Sequence, residues 1–168
     1  FIGTLFRFTD DELLEYIISQ RKNYNYVFVG AVQKEFPLEK ITKYPNAFIL
    51  GEKKKEEIGK YINAFDICIN PFKKHEVNDS VSPLKVFEYI AFRKPIVSTP
   101  MYSLQHESIS QYIHFSDSSR EFLNAIDQID ERQSYDNNVP EQALLDYKWE
   151  NLFEKLIRNM KVNYNFEL

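Results

Sequence analysis

Glycine is scarce in this chain: 4 in 168 residues, beside 1 cysteine and 3 histidines. With 43% hydrophobic and 27% charged residues, this composition excludes a low-complexity or collagen-like polymer and indicates an ordered globular chain. One cysteine excludes a disulfide framework. Cys68, mid-run in FDICINP, reads as a small core residue in a reducing, cytoplasmic compartment. CxxC, Walker A and GxGxxG patterns are all missing, and His106 and His114 lack metal-ligand spacing, so no metal or cofactor is expected. No apolar run reaches about 18 residues, so no transmembrane segment is expected. Neither sign of charge dominates. Lys and Arg total 21 against 25 Asp and Glu, interspersed along the chain, which argues against a nucleic-acid partner. An initiator methionine is lacking too: the chain starts FIGT, and we expect a segment cut at a domain boundary with a strand already under way.

Apolar runs alternate with amphipathic segments. Phe1-Ile2 is a short apolar start ending at Gly3. TDDELLEYIISQR then has Thr9 as an expected N-cap, acids in the first turn, and Leu13, Leu14, Ile17 and Ile18 on one face, which predicts a helix. Tyr24–Gly30, Asn46–Gly51, DICINP, PIVST and YIHFS read as strands. PLEKITKY, KEEIGKYINAF (despite Gly59), SSREFLNAIDQID and a closing segment around Trp149–Met160 read as helices, with a short helical connection before YIHFS. Strands alternating with helices predict an α/β fold: a Rossmann-like, doubly wound parallel sheet of six strands with helices on both faces. Ligands of such sheets sit beyond the carboxyl ends of the strands, after Gly3, Gly30, Gly51, Pro71 and Thr99. No repeat or linker divides the chain, so residues 1–168 are read as one domain.

The stretch Ser80–Thr99, SVSPLKVFEYIAFRKPIVST, carries the chemistry. Ser82 suits an N-cap and Pro83 a first helical position, which puts Lys85 third in the helix. A cation there is disfavoured by about 0.3–1 kcal/mol through the helix dipole. The i,i+3 pair Lys85–Glu88 also runs in the poorer direction. A phosphate at the helix start turns that penalty into a gain, because backbone N–H groups and lysine then share one anion. Glu88, one turn deeper on the same side, suits the vicinal diol of a ribose. A solvated surface pair or a buried ion pair are the structural alternatives.

PLKVFEYIAFRKPIVST resembles the nucleotide-sugar signature of GT-B glycosyltransferases, P-x-K-x-x-E-x-x-A-x-G-x-P-V-V. FDICINPF is similar to the strand before that signature, IGT and YVFVG to the start of their C-terminal domain, and KWENLFEKLI to its closing helix. The likeness covers almost the whole chain and is nearest to bacterial enzymes of capsule, teichuronic-acid and cell-wall polysaccharide assembly. It implies the C-terminal, donor-binding half of a GT-B enzyme, with the acceptor domain and general base outside this chain. The implied substrates are a nucleoside-diphosphate sugar and a glycan or lipid-linked acceptor.

Under the resemblance, Glu88 holds the ribose and the N–H groups of Leu84 and Lys85 meet the diphosphate at the Pro83 turn. Gly3 and Thr4 close on the phosphates, Leu50, Gly51 and Glu52 lie near the base, and Asn78–Ser82 faces the sugar. Two departures stand out. Ser80 occupies the place of a second glutamate in many retaining relatives, with Glu76 four residues too early. Arg93 stands where the family usually has glycine. Arg7, Lys73, Lys74 and His75 are weaker phosphate candidates, whereas Asp10-Asp11 reads as helix first-turn acid. The alternatives are a UDP-sugar epimerase, a non-catalytic subunit needing a partner chain, and a ligand-free scaffold. The epimerase would need more acids and histidines in the cleft than this chain offers.

Overall fold

A computed structural model describes residues 1–131, 139, 140, 145 and 151. Two compact units divide the chain, Phe1–Asn137 and Asn138–Leu168. In the second, positions 145 and 151 are helical and the Asn151 amide donates to the Leu145 carbonyl at 2.6 Å. The rest of the segment Trp149–Met160 lies outside the described residues.

In the first unit, helices and short parallel strands alternate: α1 (Asp11–Gln20), β1 (Tyr26–Phe28), α2 (Glu39–Thr42), β2 (Ala47–Ile49) and α3 (Lys55–Ala64). They continue as β3 (Cys68–Asn70), α4 (Glu76–Asp79), α5 (Leu84–Ala91), β4 (Ile96–Ser98), α6 (Tyr102–Gln105), β5 (His114–Phe115) and α7 (Ser119–Glu131). β1 pairs with β2, Tyr26 opposite Ala47, and β3-β4-β5 form a second parallel set with Cys68 opposite Ile96 and Val97 opposite His114. Of the six strands expected, five are regular among the described residues. The opening run pairs with the chain leaving β1 through two isolated parallel bridges, Ile2 to Val29 and Leu5 to Val32, with Gly3 at φ 123° between them breaking the run before it forms a regular strand.

α1 forms because Asp10 caps it, its Oδ1 accepting the Leu13 N–H at 2.9 Å, with Asp11 and Glu12 in the first turn. Thr9, the expected cap, is instead buried in an antiparallel bridge to Phe72, and its hydroxyl accepts from the Phe6 N–H at 3.3 Å. Leu14, Ile17 and Ile18 from α1 pack with Phe28, Ile69, Val97, Phe122 and Ile126 in one core. Cys68 lies fully inside, and burial pushes its thiol up to about 12, so it stays protonated at neutral pH. β3 and β4 are buried throughout, as continuous apolar runs require, but β2 leaves Phe48 41% exposed.

Gly59 lies inside α3, where glycine costs about 1 kcal/mol relative to alanine. The Phe92 ring rests against it: a Cβ there would lie 3.0 Å from the ring edge. α5 ends one residue before Phe92, and Arg93 takes φ 54°, the left-handed conformation that glycine adopts freely. The family's usual glycine is therefore replaced in sequence but not in backbone shape.

Candidate functional site

The start of α5 differs from the sequence reading by one residue. Pro83 is extended (φ −76°, ψ 96°) and is itself the N-cap, so Leu84 is first and Lys85 second in the helix, and Ser82 lies exposed outside it. Among the described residues no side chain caps this end, and no acid occupies its first turn. The opening N–H groups of a helix have no intrahelical acceptor. At Leu84 and Lys85 they therefore present an uncompensated positive end.

Lys85 does not reach solvent in the usual way. Its Nζ lies 4.4 Å from the Phe1 ring centroid and 4.2 Å from that of Phe72, a two-sided cation–π contact. Desolvation lowers its pKa to about 7, only partly opposed by the Glu88 charge. Among the described residues Lys85 and Glu88 form no ion pair, and Glu88 is exposed, so the buried-pair alternative is not what the helix builds. The Lys85 stem crosses Gly3: a Cβ on that glycine would lie 3.0 Å from Lys85 Cε and 3.3 Å from Nζ.

Gly3 is also the first of three glycines in a row. It has φ 123°, Gly30 has φ 143°, and a Cβ on Gly30 would overlap the Gly3 carbonyl. Gly30 N–H donates to the Gly51 carbonyl at 2.9 Å, and Gly51, at φ 67°, faces open space. Three loops at the carboxyl ends of the opening run, β1 and β2 thus meet backbone to backbone beside Lys85. In sequence Gly30 marks only a strand end, since nothing there pairs it with Gly3. Thr4 is half-buried beside Gly3, while Glu52 and Leu50 are exposed beside Gly51.

Tyr89 is a site element that sequence reasoning misses. Its hydroxyl, deep inside, accepts the Ile2 N–H at 2.7 Å and ties α5 to the opening run. Phe1 and Phe72, which hold the Lys85 ammonium, lie too far from it in sequence for any local signal.

Other candidates are engaged elsewhere. Asn78, expected to face the sugar, is buried, and its amide donates to the Lys73 carbonyl at 2.7 Å and the Phe8 carbonyl at 3.4 Å. The Lys73 ammonium sits 2.6 Å from Asp11, which also holds Lys40 at 2.6 Å. Burial raises the Asp11 pKa, but the two lysines outweigh it and hold the carboxyl below its ordinary value. Asp11 is thus a buried ion-pair anchor, more than a first-turn acid. The His75 Nδ1 accepts from the Val77 N–H at 3.1 Å and caps α4, and its ring lies 4.7 Å from that of Phe8. Arg7 is exposed and stacks over Phe8 at 4.6 Å. Ser80 ends α4, with its hydroxyl donating to the Glu76 carbonyl at 3.2 Å. Lys74 pairs with Asp117 at 2.6 Å.

That last pair spans a separate open cleft of about 840 Å³ at the carboxyl ends of β3, β4 and β5. The fold rule points to the residues after Pro71 and Thr99, but no sequence signal singles out Tyr102, Gln105 or Asp117. Among the described residues no group of three or more His, Cys, Asp or Glu is placed to hold a metal.

The alternating parallel architecture, with its loops gathered at the strands' carboxyl ends, is half of a GT-B fold. Residues 7–131 match the family of group 1 glycosyl transferases, and the chain belongs to that family. It is 27% identical over 134 residues to TuaH of Bacillus subtilis (strain 168), a protein named for a glycosyltransferase role in teichuronic acid biosynthesis. That match takes in 77% of this chain and 34% of TuaH. Among solved structures, Anabaena Alr3699/HepE in complex with UDP and glucose superposes with a TM-score of 0.66 at 15% identity, covering 96% of this chain and 48% of HepE. The pneumococcal O-GlcNAc transferase GtfA, in complex with UDP and GlcNAc, gives a TM-score of 0.60 at 10% identity, covering 96% of this chain and 35% of GtfA. The chain thus spans between a third and a half of the length of these relatives. Among the described residues no helix is long and apolar enough to cross a membrane.

Proposed function

We propose that this chain is the C-terminal, donor-binding half of a hexosyl-type glycosyltransferase that moves a sugar from a nucleoside diphosphate to an acceptor hydroxyl in bacterial polysaccharide assembly. The bare α5 N-terminus beside Lys85 and the Gly3–Gly30–Gly51 row carries this reading. An anion placed there meets free N–H groups, a cation and a backbone surface without side chains. Glu88, one turn along α5, receives the ribose hydroxyls, and Glu52 and Leu50 flank the base.

In the reaction, the bond from the anomeric carbon to the diphosphate oxygen breaks as the acceptor oxygen bonds that carbon. The acceptor proton passes to a base in the other half of the enzyme. Charge develops on the leaving diphosphate, and the helix start with Lys85 stabilises it where it forms. No step is assigned to a metal. Acceptor binding and most catalysis belong to an N-terminal domain, so this half alone binds nucleotide weakly and transfers nothing. The enzyme works in the cytoplasm, peripheral to the inner membrane face where a lipid-linked acceptor requires it.

Calorimetric titration with UDP, GDP, ADP and TDP tests the reading, and UDP comes first because HepE and GtfA hold it. One diphosphate should bind, and Glu88→Ala should weaken it by about 1.5–3 kcal/mol, the scale of hydrogen bonds to a charged group. Equal binding by the variant would sink the ribose role, and silence from every nucleotide would favour a ligand-free scaffold.

A further inference from the structure

The open cleft beyond β3, β4 and β5 has a lining unlike that of the Lys85 site. Tyr102 is 62% exposed, and its ring lies 4.0 Å from the His106 ring, tilted by only 31°. His106 is held in turn, its Nδ1 2.9 Å from the Tyr102 carbonyl. Around Tyr102, whose ring His106 backs, the cleft wall is Lys74, His75, Glu76, Gln105 and Asp117, with Pro100 between. The Lys74–Asp117 pair joins the loop after β3 to the loop after β5, both partners being more than half exposed. An exposed pair of this kind adds little stability and is readily re-partnered by a ligand.

The chemistry selects one ligand class. Lys74 and the His75 imidazole, whose Nδ1 is taken up by the Val77 N–H, face two carboxylates, the wrong balance for phosphate or for a polyanion. A wide, polar-rimmed cleft is also the wrong shape for an acyl chain, which needs an enclosed apolar slot. A neutral pyranose fits both halves of the lining. Its C–H face packs on an aromatic ring, and its hydroxyls donate to carboxylates and accept from ammonium and amide groups. The volume falls in the range that holds ligands larger than one small ring.

We infer that the Tyr102 cleft binds a neutral segment of a glycan chain, separate from the nucleotide, with Tyr102 as its stacking platform and Gln105, Asp117 and Lys74 reading its hydroxyls. That this glycan is the growing acceptor rests on the glycosyltransferase reading above; the site itself does not.

The test is amide-resolved NMR titration of the 168-residue chain with maltotriose, cellotriose and triacetylchitotriose, and in parallel with UDP. At least one trisaccharide should shift the amides of Tyr102, Gln105, His106, Lys74 and Asp117, leaving Gly3, Lys85 and Glu88 unmoved. Tyr102→Ala should weaken that sugar roughly tenfold while Tyr102→Phe retains it, as stacking on an aromatic face requires. UDP shifts should be the same in all three proteins. The proposal is overturned if no sugar moves these amides, if Tyr102→Ala binds as wild type, or if sugar shifts fall on Gly3 and Lys85, which would make this the donor's own pocket. Failure of UDP alone, with sugar bound, counts against the nucleotide reading and leaves the cleft standing.

Discussion

Raising the pH across neutrality should switch off the diphosphate end of the site through one side chain. Lys85 is an ordinary lysine in sequence, but the Phe1 and Phe72 rings desolvate its ammonium and lower its pKa to about 7. At about pH 6 roughly nine-tenths of the free protein then carries the charge, and at about pH 8 roughly one-tenth does. If only the charged form grips the diphosphate, apparent affinity falls by the competent fraction, about tenfold over that interval. A bound diphosphate raises the lysine pKa, so binding at about pH 8 draws in about 0.9 proton per ligand. UDP-glucose is the ligand of choice, because its diphosphate lacks the terminal phosphate group whose proton leaves near pH 6 and would blur the count. Calorimetry in two buffers of different ionisation heat measures the uptake directly. Lys85→Met keeps the stem over Gly3, should cost about 1.5–3 kcal/mol at the lower pH, and should abolish the slope. Equal affinity at both pH values, or a slope that survives in Lys85→Met, would refute the reasoning.

Other predictions concern the scaffold. Gly30→Ala places a Cβ on the Gly3 carbonyl at φ 143° and should cost roughly 2–4 kcal/mol in urea unfolding, whereas Gly51→Ala, strained but unobstructed, should cost about 1 kcal/mol. Arg93→Gly relieves a left-handed residue and should stabilise by about 0.5 kcal/mol, seen as a higher urea midpoint with unchanged slope. Asp11 has a folded pKa below its unfolded value, so its contribution is present above the unfolded value near 3.8 and is lost as pH falls through the folded one. Asp11→Asn should therefore lower stability by roughly 1–2 kcal/mol at neutral pH, and the difference should shrink on acidification below about pH 4.

The fold is legible because burial writes itself locally. DICIN and PIVS are mostly apolar runs and form the fully buried strands β3 and β4, and the Leu13–Ile18 stripe forms the buried face of α1. Lys85 and Glu88 stand out for the same reason, as charges on a helix whose other residues are apolar. Less legible is what depends on contact across the chain. Thr9 looks the better cap, but Phe72 claims its backbone, and Ser82 loses that role because Pro83 stays extended. Asn78 sits in the right loop but turns inward to backbone carbonyls, and Lys73 is taken by Asp11 from another helix. The aromatic slot around Lys85 and the Gly3–Gly30 contact join residues 13 to 84 positions apart, and no periodicity announces them.

The hydroxyl of Tyr89 on the Ile2 amide has a consequence for what the site measures. It fastens the helix that carries Lys85 and Glu88 to the run that carries Gly3, so both ends of the proposed donor site belong to one stiff frame. The distance from Gly3 to Glu88 is then a gauge set before any ligand arrives. On the proposed reading, a nucleoside diphosphate would reach from Glu88 to the glycine loop, and a monophosphate, one link shorter, would touch one end at a time. Length, beside the Lys85 charge, would then be a property by which this domain sorts nucleotides.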